Sequence, residues 1–251
     1  MKITHLYLSL VFSCLFIVST DAHNQYIYPQ LSFIYQGENK AIEAFIDTAG
    51  YECLIDHSSE QFLKDWQNFV IDEEIRLKFE QKLPIFFAEW NEQAPLLFGE
   101  IYSRFHQGFK HHKQTAIISL VVNGGYGSNK LLWLGLRFLI EDATKNCYDT
   151  NFILIFHELL HIWVDDNITG SSKLLTKYQH ADEDTRDHIH LMALQKMVYT
   201  NLDMFDELAI IDHGYRYDAP SSYRHAWEIV NDIEGYEVVL QDIEERLTRD
   251  N

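Results

Sequence analysis

The sequence has few cysteines and few prolines. Its 251 residues include three cysteines, Cys14, Cys53 and Cys147, and four prolines. The cysteine spacing excludes a CxxC redox motif or zinc ribbon. In an exported chain, Cys53 and Cys147 could form a disulfide or remain buried thiols, and the sequence leaves both possibilities open. No internal repeat, low-complexity tract or Pro/Gly-rich linker divides the chain, which favours a single compact domain.

Basic residues are also scarce. Lys and Arg together number 20 against 38 Asp and Glu, which gives a formal net charge of −18. Such a charge repels nucleic acid and anionic lipid, so we expect neither as a partner. The acidic surface favours no particular substrate, and the sequence does not indicate an oligomeric state.

Long apolar runs are missing after the N-terminus. Residues 1–22 have a short basic start, an apolar run at 6–18 and a small-residue exit ending at Ala22. This layout is typical of a secretory signal peptide, and the run is shorter than the roughly 20 residues that a membrane span needs. We therefore expect cleavage after Ala22, a mature chain of residues 23–251 without a membrane anchor, and a periplasmic or extracellular location.

Periodicity predicts a mainly helical α+β domain. Apolar residues at helical spacing begin after Ser58, and Pro84 is expected to end the first helix, with a second after Pro95. Two apolar, partly β-branched runs then flank a glycine-rich segment at 123–128, which predicts a β-hairpin. The segment lacks the GxxxxGK[ST] spacing of a phosphate loop. The predicted elements are a helical part at 57–110, a hairpin or small sheet at 115–140, an active-site helix at 150–166, a second helix at 182–202 and a C-terminal helix at 222–248.

The strongest chemical signal is His-Glu-Leu-Leu-His at 157–161, inside one of the most apolar stretches of the chain. On a helix, positions i and i+4 share a face, so His157 and His161 can bind one Zn²⁺ through their imidazole nitrogens. Glu158 can then act as general base on a water that the metal activates. The other interpretation is an apolar helix with incidental histidines and no metal, but unpaired buried polar groups would be costly there.

HELLH resembles the signature of the zincin metallopeptidases. The metzincin extension is absent, because Val164 and Asn167 stand where its glycine and third histidine would be. The gluzincin pattern, a glutamate on a following helix and an aspartate four residues later, is similar to Glu183 and Asp187 in "ADEDTRDHIH". The resemblance covers residues 157–187. It implies Glu183 as third zinc ligand and Asp187 as the residue that orients a ligand histidine.

The third ligand remains open among several nearby groups. His180, Asp184, Asp187 and His190 are alternatives to Glu183, and Asp187 can equally be a solvated acid in the first turn of a helix.

Zincins commonly stabilise the oxyanion with a Tyr or His beyond the third ligand. The resemblance makes the segment "DHGYRYDAPSSYRH" the source of such a donor. His213 and Tyr223 are the preferred candidates, and Tyr215, Tyr217 and His225 are alternatives.

Together these observations predict an exported α+β zinc hydrolase of zincin-like architecture that cleaves a peptide or protein substrate. His157, His161 and Glu183 would bind Zn²⁺ and Glu158 would act as base and then acid. The alternative is an exported binding or scaffold protein that retains a zincin fold without turnover. The sequence does not indicate the substrate.

Overall fold

A computed structural model of the chain describes residues 26–37, 40–41, 43–44, 72–121, 123–129, 131–140 and 151–247. The predicted signal peptide, Cys53, Cys147 and the capping motif at Ser58 lie outside these residues. The fold is α+β and mostly helical, with one small mixed sheet, as the sequence predicts. Within the described ranges, no helix is both long and apolar enough to cross a membrane.

A long helix, α1, spans Glu73–Phe105. Asp72 caps its N-terminus by accepting a hydrogen bond from the backbone N–H of Ile75. The sequence predicted that Pro84 would end one helix and that a second would follow Pro95, and this was wrong because both prolines lie inside α1. Proline in a helix interior usually costs about 3 kcal/mol. Here the apolar face of α1, which includes Phe86, Trp90, Phe98 and Ile101, is buried in the core on both sides of the prolines.

The sheet corrects the predicted hairpin. Its strands are β1 (Gln30–Ile34), β2 (Lys113–Ser119), β3 (Asn123–Gly127) and β4 (Leu132–Leu136), in the order β1-β2-β4-β3. The two apolar runs, β2 and β4, pair in parallel and not as a hairpin. The glycine-rich segment expected to be their connection forms β3, which pairs antiparallel with β4 at one end of the sheet order.

From residue 151 to residue 246, the named elements are helical. Helix α2 (Asn151–Asn167) is almost entirely buried and packs on α1, β3 and the following long helix. The short α3 (Lys173–Lys177) leads to α4 (Glu183–Asn201), which Asp182 caps at its N-terminus. The bounds of α2 and α4 agree with the predicted helices at 150–166 and 182–202 to within one residue at each end.

The last part of the chain is more broken than the sequence predicted. Helix α5 (Phe205–His213) continues into a π-helical turn at Gly214–Asp218. The single helix predicted at 222–248 is interrupted, and it consists of α6 (Ser221–Glu228), a second π-helical turn (Ile229–Ile233) and α7 (Tyr236–Arg246). The bidentate salt bridge from Arg216 to Asp232 joins the two π-helical turns, and Arg216 also binds Asp212.

Candidate metal centre

Three histidines from two helices converge in the interior. His157 and His161 come from α2, one helical turn apart, and His188 comes from α4. One nitrogen from each ring lies within 4.8 Å of the other two, and the ring centroids are 4.8–5.4 Å apart. His157 and His188 are buried and His161 is partly exposed. We refer to these three residues as the histidine cluster.

In both His157 and His188, Nδ1 is hydrogen-bonded and Nε2 is left available to bind a metal ion. The Nδ1 of His188 is 2.7 Å from the carbonyl oxygen of Asp184, which can only accept, so Nδ1 carries the proton. The Nε2 atom of His188 is buried and has no hydrogen-bond partner among the described residues. An unprotonated Nε2 is an acceptor without a donor, which is costly in an interior unless a cation or a water molecule binds it.

Tyr215 holds His157 in the corresponding orientation. Its hydroxyl is 2.9 Å from His157 Nδ1 and donates to Gln195 Oε1 at 2.9 Å. Because the hydroxyl has one proton to give, Nδ1 of His157 must be the donor in their contact. The Nε2 of His157 is then left with its lone pair. Trp227, on α6, packs on the Tyr215 ring with the ring centroids 5.1 Å apart.

All three imidazoles are held in the neutral form. Burial, together with the neighbouring histidines, lowers the pKa of His157 well below its usual value. Burial and His188 lower the pKa of His161 to about 3, and burial also lowers the pKa of His188. Neutral imidazole is the form that binds a metal ion, so the electrostatics of the cluster suit coordination.

Glu158 lies next to His157 in sequence and is equally buried. Burial raises the pKa of its carboxyl to about 8, and a hydrogen bond from the Gly127 backbone N–H opposes part of this rise. A carboxyl whose pKa lies near neutrality can both accept and release a proton at physiological pH.

The third member of the cluster is His188, and Glu183, which the resemblance implied as third ligand, lies outside it. Glu183 is in the first turn of α4 and is exposed, whereas His188 lies five residues further along the helix and faces the interior. The alternatives also lie outside the cluster. His180 is exposed, Asp184 contributes its backbone carbonyl, and the Nε2 of His190 is hydrogen-bonded to Asp242 at 2.8 Å.

Among the described residues, no hydrogen bond joins Asp187 to a histidine of the cluster. Partial burial and the nearby carboxylates of Glu183, Asp184 and Asp165 raise the pKa of Asp187 to about 6. The Nδ1 atom of His157 donates to the Tyr215 hydroxyl, which is hydrogen-bonded to Gln195, and the Nδ1 atom of His188 donates to the Asp184 carbonyl oxygen. Neither of these orienting groups carries a negative charge.

Of the two predicted oxyanion donors, Tyr223 is close to the cluster. Its ring centroid is 3.9 Å from that of His188, and its ring is nearly parallel to that of His157 at 6.1 Å. His213 is exposed on the surface, where its Nδ1 is 3.5 Å from Asp218 and its ring contacts Tyr217.

Sequence reasoning did not consider His188 or Gln195 as functional residues, and it named Tyr215 only as a less favoured oxyanion donor. The signal for His188 is weaker than in HELLH, because His188 stands where the polar residues 183–187 give way to the apolar Ile189, Leu191 and Met192. Comparisons of the chain with protein-family models, with curated proteins and with solved structures found no match.

Proposed function

We propose that this protein is an exported zinc-dependent hydrolase, and specifically a metallopeptidase. The observation that carries the proposal is the histidine cluster, whose three neutral imidazoles have their ligand atoms within 4.8 Å of one another, beside the buried Glu158. Three nitrogen lone pairs that face one another without hydrogen-bond donors would not stabilise a structural core. A bound cation gives each of them a partner.

The donor set fits zinc. Imidazole nitrogen is a preferred ligand of Zn²⁺, and three protein ligands leave the fourth tetrahedral position for water or substrate, as in catalytic sites. His157 and His161 would supply two ligands in the HExxH arrangement and His188 the third. The buried Nε2 of His188 lacks a hydrogen-bond partner among the described residues, and this independently supports His188 as a metal ligand.

Each residue has a definite task in such a reaction. When bound, zinc lowers the pKa of a coordinated water to about 7 and polarises the scissile carbonyl. Glu158 takes a proton from the attacking water at its carboxylate and later gives it to the nitrogen of the leaving amine. Tyr215 and the Asp184 carbonyl keep His157 and His188 in the tautomer that presents Nε2. Tyr223, whose ring lies over His188, is the candidate donor to the oxyanion.

A zincin-like architecture is part of the proposal. In zincins an edge strand before the active-site helix pairs with the substrate backbone, and β3 stands at the end of the strand order and packs against α2. An extended peptide added beside β3 would pass next to Glu158. The signal-like segment at residues 1–22 supports an exported location.

The first experiment is elemental analysis of purified residues 23–251 after dialysis against zinc-containing and then metal-free buffer. We expect about one zinc per chain in the wild type and in Glu158→Gln, and almost none in His161→Ala. Hydrolysis of labelled casein should be lost in Glu158→Gln although its zinc is retained. Absence of zinc from the wild type after zinc is supplied would contradict the proposal. Full zinc with casein hydrolysis equal in wild type and Glu158→Gln would contradict the role of Glu158.

A further inference from the structure

Two glycines of β3 contact Glu158 so closely that a Cβ atom on either would clash with Glu158 in its present position. A Cβ placed on Gly125 would lie 2.4 Å from Cγ and 2.6 Å from Oε1 of Glu158. A Cβ placed on Gly127 would lie 1.9 Å from the carbonyl oxygen of the same residue. One glycine therefore faces the side chain of Glu158 and the other its backbone.

The backbone conformation does not explain these glycines. Gly124 has a φ of +133°, a conformation that favours glycine, but neither Gly125 nor Gly127 has a positive φ. Residues i and i+2 of a strand point to the same face, so Gly125 and Gly127 both face α2. Glycine inside a strand weakens it unless something must approach closely, and here the close neighbour is the helix that carries HELLH.

We propose that Gly125 and Gly127 form a positioning element that fixes the Glu158 carboxylate next to the histidine cluster. The proposal rests on the function proposed above and adds the strand residues on which the general base depends. Contact with Gly125 limits the rotamers of Glu158. The Gly127 N–H donates a hydrogen bond to its carboxylate. A base held in this way loses little conformational entropy when it reaches its working geometry.

The two glycines should respond differently to substitution. In Gly125→Ala the new methyl group meets the side chain of Glu158, which can rotate away, so the carboxylate is displaced while the strand keeps its place. In Gly127→Ala the methyl group meets the backbone of α2, which cannot rotate away, so strand and helix must separate. Gly125→Ala is therefore the informative variant. Gly99→Ala is its control, since Gly99 lies inside α1 with no atom within 4 Å of the added Cβ.

The first test is a double-mutant cycle on the metal-free chain, measured by chemical denaturation. We expect Gly125→Ala to lower the denaturation midpoint in the wild-type background and to leave it nearly unchanged in Glu158→Ala, where the clashing atoms are gone. If Gly125→Ala fails to fold but Gly125→Ala/Glu158→Ala folds, that result also supports the contact between Gly125 and Glu158. An equal loss in both backgrounds would overturn the proposal. Gly99→Ala should leave the midpoint unchanged or raise it.

The second test measures positioning with Co²⁺ in place of zinc. Gly125→Ala should bind one Co²⁺ per chain, and the pH midpoint of its visible spectrum should shift in the same direction as in Glu158→Gln, whereas Gly99→Ala should match the wild type. An unshifted spectrum in Gly125→Ala would overturn the positioning role. If the wild type binds neither cobalt nor zinc, the hydrolase proposal fails and the positioning role with it. The double-mutant cycle would then measure only the packing between Gly125 and Glu158. Failure of the hydrolase proposal can therefore be distinguished from failure of the positioning role alone.

Discussion

The two helices that supply the histidine cluster have opposite surroundings. Helix α2 is buried along nearly its whole length, and its polar residues His157 and Glu158 lie inside the apolar core. Helix α4 begins with an exposed acidic turn, in which Thr185 alone is buried, and is mostly buried from His188 onward. In a buried helix, a polar candidate residue stands out in the sequence because its neighbours are apolar. In a helix that begins in solvent, other polar residues precede the candidate residue and make it harder to recognise.

The largest expected effect separates His188 from the exposed acids of its own helix. His188→Ala should reduce zinc affinity by several orders of magnitude, because one of the three proposed ligands is lost. Glu183→Ala, five residues earlier on α4, should bind zinc like the wild type, because its side chain is exposed outside the cluster. Isothermal titration with zinc measures both. Weak binding by Glu183→Ala together with wild-type binding by His188→Ala would restore the gluzincin assignment.

The same contrast explains which parts of the site could be predicted. HELLH has a fixed spacing within one helix, so His157, Glu158 and His161 follow from local geometry. The third ligand depends on how α4 rotates and shifts against α2, which no local pattern specifies. The gluzincin analogy therefore selected Glu183, one of the exposed residues at the start of the helix. Tyr215 reaches His157 from a π-helical turn, and such turns have no reliable sequence signature.

The fold also has elements that the sequence predicted and elements that it did not. The bounds of α2 and α4 follow from caps and apolar periodicity, but the helix α1 continues through two prolines because its buried face outweighs their local preference. The glycine-rich segment looked like a turn because glycine is common in turns. It is instead a strand, β3, and close packing against Glu158 accounts for two of its glycines. Tertiary contacts decided both cases.

A second prediction concerns the buried carboxyl of α2 in the metal-free chain. The pKa of Glu158 is raised to about 8 in the folded state, so the unfolded state binds fewer protons above pH 4.5. The stability associated with this carboxyl is thus complete below pH 4.5 and is lost as pH rises toward 8. Glu158→Gln should be more stable than wild type at pH 8, by an amount on the order of several kcal/mol, and about equal at pH 4. Denaturation in the presence of a chelator measures this, and a difference independent of pH would contradict it.

A third prediction tests the neutral orienting group of His157. Tyr215→Phe removes the hydroxyl that accepts from Nδ1 and donates to Gln195, and it leaves the ring packing with Trp227 intact. Loss of such an orienting group typically costs about 10–100-fold in metal affinity. A competition assay with a chromophoric zinc chelator measures the change. Tyr217→Phe is the matched control, since Tyr217 is exposed in the same π-helical turn. Equal affinities for Tyr215→Phe and Tyr217→Phe would show that the hydrogen bond of Tyr215 with His157 does not contribute to metal binding.

The smallest expected effect concerns the exposed start of α4. The Asp182 carboxylate accepts a hydrogen bond from the Thr185 backbone N–H at 2.7 Å, and hydrogen bonds from Thr185 lower its pKa. Asp182→Ala should cost about 1 kcal/mol of stability at neutral pH without changing the zinc content, whereas Asp182→Asn should cost less because asparagine also caps helices well. The stability that Asp182 provides is present above its ordinary pKa and is lost as pH falls through the lowered value, so wild type and Asp182→Ala should converge in acid. Urea denaturation of the three proteins at two pH values measures this. Loss of zinc from Asp182→Ala would show that the exposed turn and the buried His188 are coupled, and the contrast between the two ends of α4 would then be smaller than the burial pattern indicates.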